Sequence, residues 1–340
     1  MATIKEVARR ARVSVGTVSN VMRGTVSVSA ALRERVERAA RDLSYHPNHV
    51  ARSLKSRKTQ TLGMVISDIT NPFFPLVVRG AEDAALARGY LLNIFNTDDH
   101  VEREESVCAM LRTRRVDGVL AVVAPNTGRP IHLQEMIDAG IPLVCLDRIP
   151  PGLAVDSVVV DNAKGAAMCV RHLIAMGHCA IGVISGSANV QTARERVNGY
   201  RRALAEAGIS FNPSLLREGD FRLDSGYRLA KDLCLSNPRP TVLFVANGTM
   251  GLGAIKAIQE MGLRCPEDVG IAVFDDVPGA DILRPHLTVV SQPAYEIGYR
   301  GTELLIQRIA GEVKSKKPVT IVLEPELKIR ESTIGARLRP

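Results

Sequence analysis

Long apolar runs are missing from this chain. No stretch approaches the roughly 18 residues that a membrane-crossing helix needs, so no transmembrane segment is predicted. Met1-Ala2-Thr3-Ile4-Lys5 contains no apolar signal region, which predicts a cytoplasmic protein. Cys108, Cys145, Cys169, Cys179, Cys234 and Cys265 form no CxxC pair and no regular framework, so they are read as free thiols in a reducing compartment. GxxxxGK(S/T) is absent, which excludes a P-loop, and Gly182-Val183-Ile184-Ser185-Gly186 lacks the GxSxG spacing of a nucleophile elbow. Cys169 and His172 would share a helix face near His178 and Cys179, but without CxxC or HExxH spacing no metal site is predicted. No catalytic constellation and no cofactor are expected. Asp98, Asp99, Glu102, Glu104 and Glu105 are read as favouring the start of a helix electrostatically. Residues 330–340 carry no leucine heptads, so no tetramerising coiled coil is expected.

What is present is organised in blocks. At 340 residues, 46% of them hydrophobic, the chain is long enough for two or three domains with real cores. The net charge of +8 is unevenly placed. Residues 1–60 hold 13 Lys/Arg against 4 Asp/Glu, and the other 280 hold 31 against 32. A basic N-terminal sixth on a neutral body is the electrostatic footprint of a small nucleic-acid-binding module.

Residues 3–20 explain that footprint. Ile4, Val7, Ala8 and Ala11 fall at i, i+3, i+4 and i+7, which makes one face of a short helix apolar. Thr3 followed by Glu6 is a capping box. After a break at Arg12-Val13, Ser14 can cap a second helix in which Val18 and Val21 point inward and Gly16, Thr17, Ser19 and Asn20 point out. Two short helices with a tight turn describe a helix-turn-helix whose second helix enters the DNA major groove. A third helix begins at Ser29 and carries the stripe Leu32, Val36, Ala39, Ala40 and Leu43. Pro47 ends what precedes it, and residues 48–54 could make about two helical turns, marginal in isolation.

From residue 61 the texture changes. Strands are predicted at 62–68, 90–95, 116–123 and 143–146, alternating with helices at 72–88, 101–115 and 131–139. The alternation restarts with helix 162–176 and strand 180–185, helices 192–207 and 224–235, strand 241–246, helix 250–261 and strand 269–274. Helix 293–310 then precedes 319–329. Alternating strands and helices argue parallel sheets with helices on both faces.

TIKEVARRARVSVGTVSNVMRG, the stretch from Val28 to Asn48 and VARSLKS resemble the headpiece of the LacI/GalR family of bacterial transcription regulators. RVDGVL, VVVDNAKGA, HLIAMGH, PTVLFVANGTMGLGAI and LTVVSQP extend the resemblance over essentially the whole chain. It implies an all-α helix-turn-helix headpiece at 1–46, a hinge helix and linker at 47–60, and an α/β periplasmic-binding-protein-like body of two lobes with parallel sheets. The lobes would be 61–161 plus 292–322 and 162–291 plus 323–340. The hinge segment 48–56 would form on operator DNA and place Leu54 as an apolar wedge in the minor groove, where it unstacks a base step. The DNA-contacting set is then Thr3, Ser14, Val15, Gly16, Thr17, Ser19, Asn20, Arg23, Asn48, Arg52, Leu54 and Lys55. Val15, Gly16 and Asn20 would face bases, and Thr17, Ser19 and nearby arginines would hold phosphates.

In open α/β sheets ligands bind beyond the carboxyl ends of strands. The strand-end reading selects Asn71, Phe73, Phe74, Asp147, Arg148, Arg196, Phe221, Asn247 and Asp275, and the effector-binding set adds Gln292. Aromatic faces, guanidinium forks, carboxylates and amides suit a small polar ligand with apolar faces: a sugar or related metabolite ahead of a purine. Two departures from the family pattern stand out. Asn247-Gly248 replaces Asn-Asp, which predicts a weakened cap on the following helix, and Arg12 occupies a turn position where Gly or Asn is common. The expected protein is a homodimeric repressor of near-palindromic double-stranded operator DNA, controlled by a small-molecule effector held between two lobes. The alternative is a small-molecule-binding protein without operator-specific function.

Overall fold

The computed structural model describes residues 2–23, 28–45, 59–125, 128–277, 282–315 and 317–334. The chain divides into two compact units, Met1–Thr59 and Gln60–Pro340.

Among its described residues the first unit holds three helices, α1 (Ile4–Ala11), α2 (Val15–Arg23) and α3 (Ala30–Asp42). Its core consists of Val7, Ala8 and Ala11 against Val18, Val21, Val36, Ala39 and Ala40. These are the apolar stripes that the spacing predicts. Ser29 Oγ accepts from the Leu32 N–H and caps α3.

The second unit contains two six-stranded sheets. The first is built from β1 (Thr61–Ile66), β2 (Leu91–Asn96), β3 (Gly118–Ala121), β4 (Leu143–Leu146), β5 (Asp156–Val160) and β11 (Thr320–Leu323), in the order β11-β5-β4-β3-β1-β2. All its neighbours run parallel, with Met64 beside both Ile94 and Leu120. Helices α4 (Phe73–Ala87) and α11 (Ala294–Ala310) cover one face, and α5 (Val101–Arg114) and α6 (Ile131–Asp138) cover the other.

The second sheet contains β6 (Ile181–Ser185), β7 (Leu216–Glu218), β8 (Val242–Val245), β9 (Gly270–Phe274), β10 (Thr288–Ser291) and β12 (Glu326–Lys328), in the order β12-β10-β9-β8-β6-β7. Only β12 runs antiparallel to its neighbour, β10. Helices α7 (Asn162–Ala175) and α8 (Gln191–Glu206) cover one face, and α9 (Leu223–Leu235) and α10 (Gly248–Glu260) cover the other. Both sheets are buried on both faces, which is why β1, β3, β4, β6, β8 and β9 read as unbroken apolar runs.

Three strands escape the sequence reading. β5 opens on the charged Asp156, β7 is three residues long, and β10 is only four. The stretch 319–329 divides into β11 and β12, which belong to different sheets. Pro325 has no N–H to donate to a ladder, so the strand breaks there and the chain changes sheet. Successive elements also change sheet between β5 and α7 and between β10 and α11. Three adjacent chain crossings therefore join two lobes within the second unit.

Candidate effector cleft and DNA-reading helix

In the first unit the helix-turn-helix is built by local bonds. The Thr3 N–H donates to Glu6 Oε2 (2.7 Å), and Thr3 Oγ1 accepts from the Glu6 N–H (3.4 Å), which completes the capping box. These bonds hold the Glu6 carboxyl below the usual carboxylate range. Arg12 ends α1 in the left-handed region at φ 51° and ψ 51°. Ser14 Oγ accepts from the Thr17 N–H (3.1 Å) and pairs with Thr17 Oγ1 (2.9 Å), so the start of α2 is pinned by its own side chains. Val18 and Val21 are buried, Val15 is 41% exposed, Gly16 is exposed, and Thr17, Ser19 and Asn20 are half-buried. The Arg23 side chain, Asn48, Arg52, Leu54, Lys55 and the 48–56 segment lie outside the described residues.

In the second unit one cavity of about 240 Å³ gathers residues from the carboxyl ends of strands in both sheets. β1 delivers Asp68, Asn71, Phe73 and Phe74; β2 delivers Asp98 and Asp99; β3 delivers Pro125; β4 delivers Asp147 and Arg148. From the second sheet, β6 leads to Ser187, Val190, Thr192 and Arg196, and β7 to Asp220, Phe221 and Arg222. Asn247 follows β8, Asp275 follows β9, and Gln292 follows β10. All nine residues of the sequence-derived effector set line this cavity, as does Asn71. The reading missed Asp68, Asp98, Asp99, Pro125, Ser187, Val190, Thr192, Asp220 and Arg222. Most of these share the signal that found the others, a position just past a parallel strand.

The cavity wall is polar and tightly wired. Arg196 is 4% exposed; its Nε donates to Asn162 Oδ1 (2.9 Å) and its Nη1 to Ala246 O (2.6 Å). Burial lowers the Arg196 pKa, against the attraction of Asp275 and Asp147. Asp275 accepts from Gln292 Nε2 (2.5 Å) and from the Gly248 N–H (3.4 Å). Arg148 Nη1 donates to Asp99 Oδ1 (2.7 Å) and to Val123 O (3.0 Å). Burial pushes the Asp147 carboxyl up to about 6, although Arg148 and Arg196 pull it down. Two buried atoms of the cavity-lining residues, Arg148 Nε and Gln292 Oε1, have no hydrogen-bond partner among the described residues.

Backbone strain concentrates here. Asp98, Asp99, Asp147, Phe221 and Asp275 line the cavity with φ of 53°, 59°, 64°, 67° and 83°. Aspartate tolerates the left-handed region, but phenylalanine rarely enters it, and such residues cluster at ligand sites. Phe221 is held there by its carbonyl, which accepts from Asn247 Nδ2 (3.2 Å), and by its ring, which covers Gly186 so closely that no Cβ would fit.

Two expectations change. The cap before α10 is not weakened. Asn247 is itself the N-cap and accepts from the Met250 N–H (2.9 Å), and a Cβ at Gly248 would stand 2.5 Å from Val277 Cγ2. The acidic run is not simply a helix start. Asp99 pairs with Arg148, Asp98 bonds Asn96 and Arg103, and the 2%-exposed Glu104 accepts from the Ala124 N–H and His132 Nε2, both at 2.6 Å. His172 and His178 pair with the hydroxyls of Thr333 (2.9 Å) and Thr241 (2.8 Å), and burial lowers both imidazole pKa values.

A basic helix-turn-helix unit on the same chain as a two-lobed body with a strand-end cleft defines a ligand-responsive DNA-binding regulator. The chain belongs to the LacI family of bacterial regulatory proteins. Residues 3–48 match that family's regulatory domain, and residues 170–333 match the periplasmic binding protein-like domain. The chain is 37% identical over 338 residues to the HTH-type transcriptional repressor PurR of Aliivibrio fischeri strain MJ11, covering 98% of this chain and 99% of the relative. The PurR repressor of Pasteurella multocida strain Pm70 is 36% identical over 332 residues, 98% of each chain. Among solved structures, a complex of the transcriptional regulator CelR with cellobiose is 34% identical with a TM-score of 0.75, covering 98% of this chain and all of that one. The lac repressor dimer bound to operator and the anti-inducer ONPF is 28% identical with a TM-score of 0.85, covering 98% of this chain and 99% of that one. No helix among the described residues is long and apolar enough to cross a membrane.

Proposed function

We propose that this chain is a homodimeric, cytoplasmic transcriptional repressor whose affinity for a near-palindromic operator is set by a neutral sugar or related polyol in the interlobe cleft. The observation that carries the reading is the convergence of Asp147 and Arg148 from one lobe with Arg196, Phe221, Asn247 and Asp275 from the other on a single cavity. A ligand that touches both lobes binds their two relative arrangements with different affinity, which is the requirement for coupling to operator binding.

The cavity wall supports the ligand class. Six carboxylates (Asp68, Asp98, Asp99, Asp147, Asp220 and Asp275) face three guanidiniums (Arg148, Arg196 and Arg222). That balance disfavours a phosphorylated effector, while carboxylate acceptors, guanidinium donors and phenylalanine faces match hydroxyls on an apolar ring. The CelR relative was solved with cellobiose, and a LacI-family regulator from Enterococcus faecium was solved with ribose.

In the reading unit, Val15, Gly16 and Asn20 face base edges. Thr3, Ser14, Thr17, Ser19, Arg23, Asn48, Arg52 and Lys55 hold the backbone, and Leu54 is the minor-groove wedge. Gly16 has no side chain to read a base, so discrimination at that step rests on its neighbours.

The test is selection of genomic fragments by the purified protein at two salt concentrations, followed by anisotropy of the recovered site with ribose, cellobiose, hypoxanthine and guanine. A near-palindrome with a steep salt slope and a shift caused by a sugar supports the reading. A shift caused only by a purine base replaces the sugar assignment, and salt-insensitive binding with no recovered motif sinks the operator assignment.

A further inference from the structure

Among the described residues, one hydrogen bond joins the lobes away from the three chain crossings. The Ile149 N–H, at the end of β4 in the first lobe, donates to Gln191 Oε1 at the start of α8 in the second (2.7 Å). Gln191 is not left to find this geometry alone. Its Nε2 donates to Glu195 Oε1 one turn on (2.7 Å), and Glu195 Oε2 accepts from Asn162 Nδ2 (3.1 Å). Asn162 is 1% exposed, sits at the first chain crossing, and accepts from Arg196 Nε through its Oδ1 (2.9 Å). A continuous run of side-chain bonds thus leads from the backbone next to Asp147-Arg148, through Gln191, Glu195 and Asn162, to the buried arginine of the cavity. Neither Gln191 nor Glu195 is among the cavity-lining residues.

We infer that Gln191 is a latch: it holds the lobes at this closure through the Ile149 N–H, and the Glu195–Asn162 relay ties that latch to Arg196. The coupling to ligand rests on the effector reading above; the latch itself does not. Each atom of the relay has a fixed role. The amide at 191 accepts across the cleft and donates to a carboxylate, and the carboxylate at 195 accepts twice. Gln191→Glu keeps the acceptor for Ile149 but sets two carboxylates against each other. Adding Glu195→Gln to it restores every bond, because the new amide donates to position 191 and still accepts from Asn162.

The experiment is amide hydrogen exchange on the full-length protein with no small molecule added, followed by calorimetry with D-ribose and cellobiose. Gln191 is half-buried in the first turn of a helix, so its variants retain the fold, which a melting curve checks. Exchange at the Ile149 amide is expected to accelerate on the order of tenfold in Gln191→Ala and in Gln191→Glu, and to return to wild type in the Gln191→Glu/Glu195→Gln pair. Unchanged exchange in both single variants, or a folded double variant that stays fast, overturns the latch. For whichever sugar binds wild type, Kd is expected to weaken severalfold in the single variants and recover in the double. Faster exchange with unaltered Kd overturns the relay to Arg196. If neither sugar binds wild type, the sugar reading fails while the exchange rates still decide the latch.

Discussion

The Arg196 guanidinium lies 3.8 Å from the centre of the Phe274 ring, stacked on the last residue of a central strand. A cation–π contact in a buried site adds to the bonds Arg196 makes to Asn162 and Ala246. The side chain is therefore both part of the cavity wall and a strut. Arg196→Ala should abolish the effector response, and it should also destabilise the body by roughly 1–3 kcal/mol for each buried acceptor left unpaired. Urea denaturation and an effector titration of operator binding check the two effects separately. Full stability in this variant would refute the strut.

Asp147 predicts a pH dependence. Its folded pKa, raised to about 6 by burial, lies above the value of roughly 4 in an unfolded chain. Between those values the folded state binds more protons than the unfolded one, so stability falls as pH rises from 4 to 6 and the loss is complete above the folded pKa. Asp147→Asn should flatten this slope and stabilise the protein at pH 7 by roughly 1–3 kcal/mol. A hydroxyl donated to the carboxylate favours its ionised form, so effector affinity should rise over the same window in wild type and not in the variant. Melting curves and calorimetry between about pH 4 and 7 measure both.

Helices α4 and α11 meet backbone to backbone. A Cβ at Gly80 would overlap the Tyr295 carbonyl oxygen, and one at Gly298 would overlap the Val77 carbonyl oxygen. Gly80→Ala and Gly298→Ala should each cost roughly 1–3 kcal/mol or more, since neither backbone can retreat. Gly89→Ala, at φ +73° with open space around its Cβ position, should cost only about 1 kcal/mol. Equal losses at all three sites would show that helix contact is not the cause.

Arg12 holds a left-handed conformation that glycine adopts freely. Arg12→Gly should stabilise the helix-turn-helix by roughly 0.5–1 kcal/mol, read as slower amide exchange in residues 4–11. The same variant removes one positive charge, so its operator binding should depend less steeply on salt if Arg12 touches phosphate.

Much of this protein is legible in its residues because much of it is local. The Thr3–Glu6 box, the Ser14 and Ser29 caps, the 3.6-residue stripes and the apolar strand runs are each set by neighbours within a few positions. The cleft residues could be found for a related reason. A parallel strand delivers its next residues to one end of the sheet, so position after a strand is already position at the site.

The helix-turn-helix, the doubly wound body and the identity of its strand-end groups follow from the order of the residues. Which of those groups meet is settled by packing. Asp99 and Arg148 are 49 residues apart, Gln191 and Ile149 are 42 apart, and Glu104 and His132 are 28 apart. No periodicity links such pairs; they form because packed sheets bring distant loops to one edge. The 319–329 stretch was ambiguous for the same reason. The residues on either side of Pro325 both favour a strand, and the sheet each half joins is set by what stands open beside it, β5 on one side and β10 on the other.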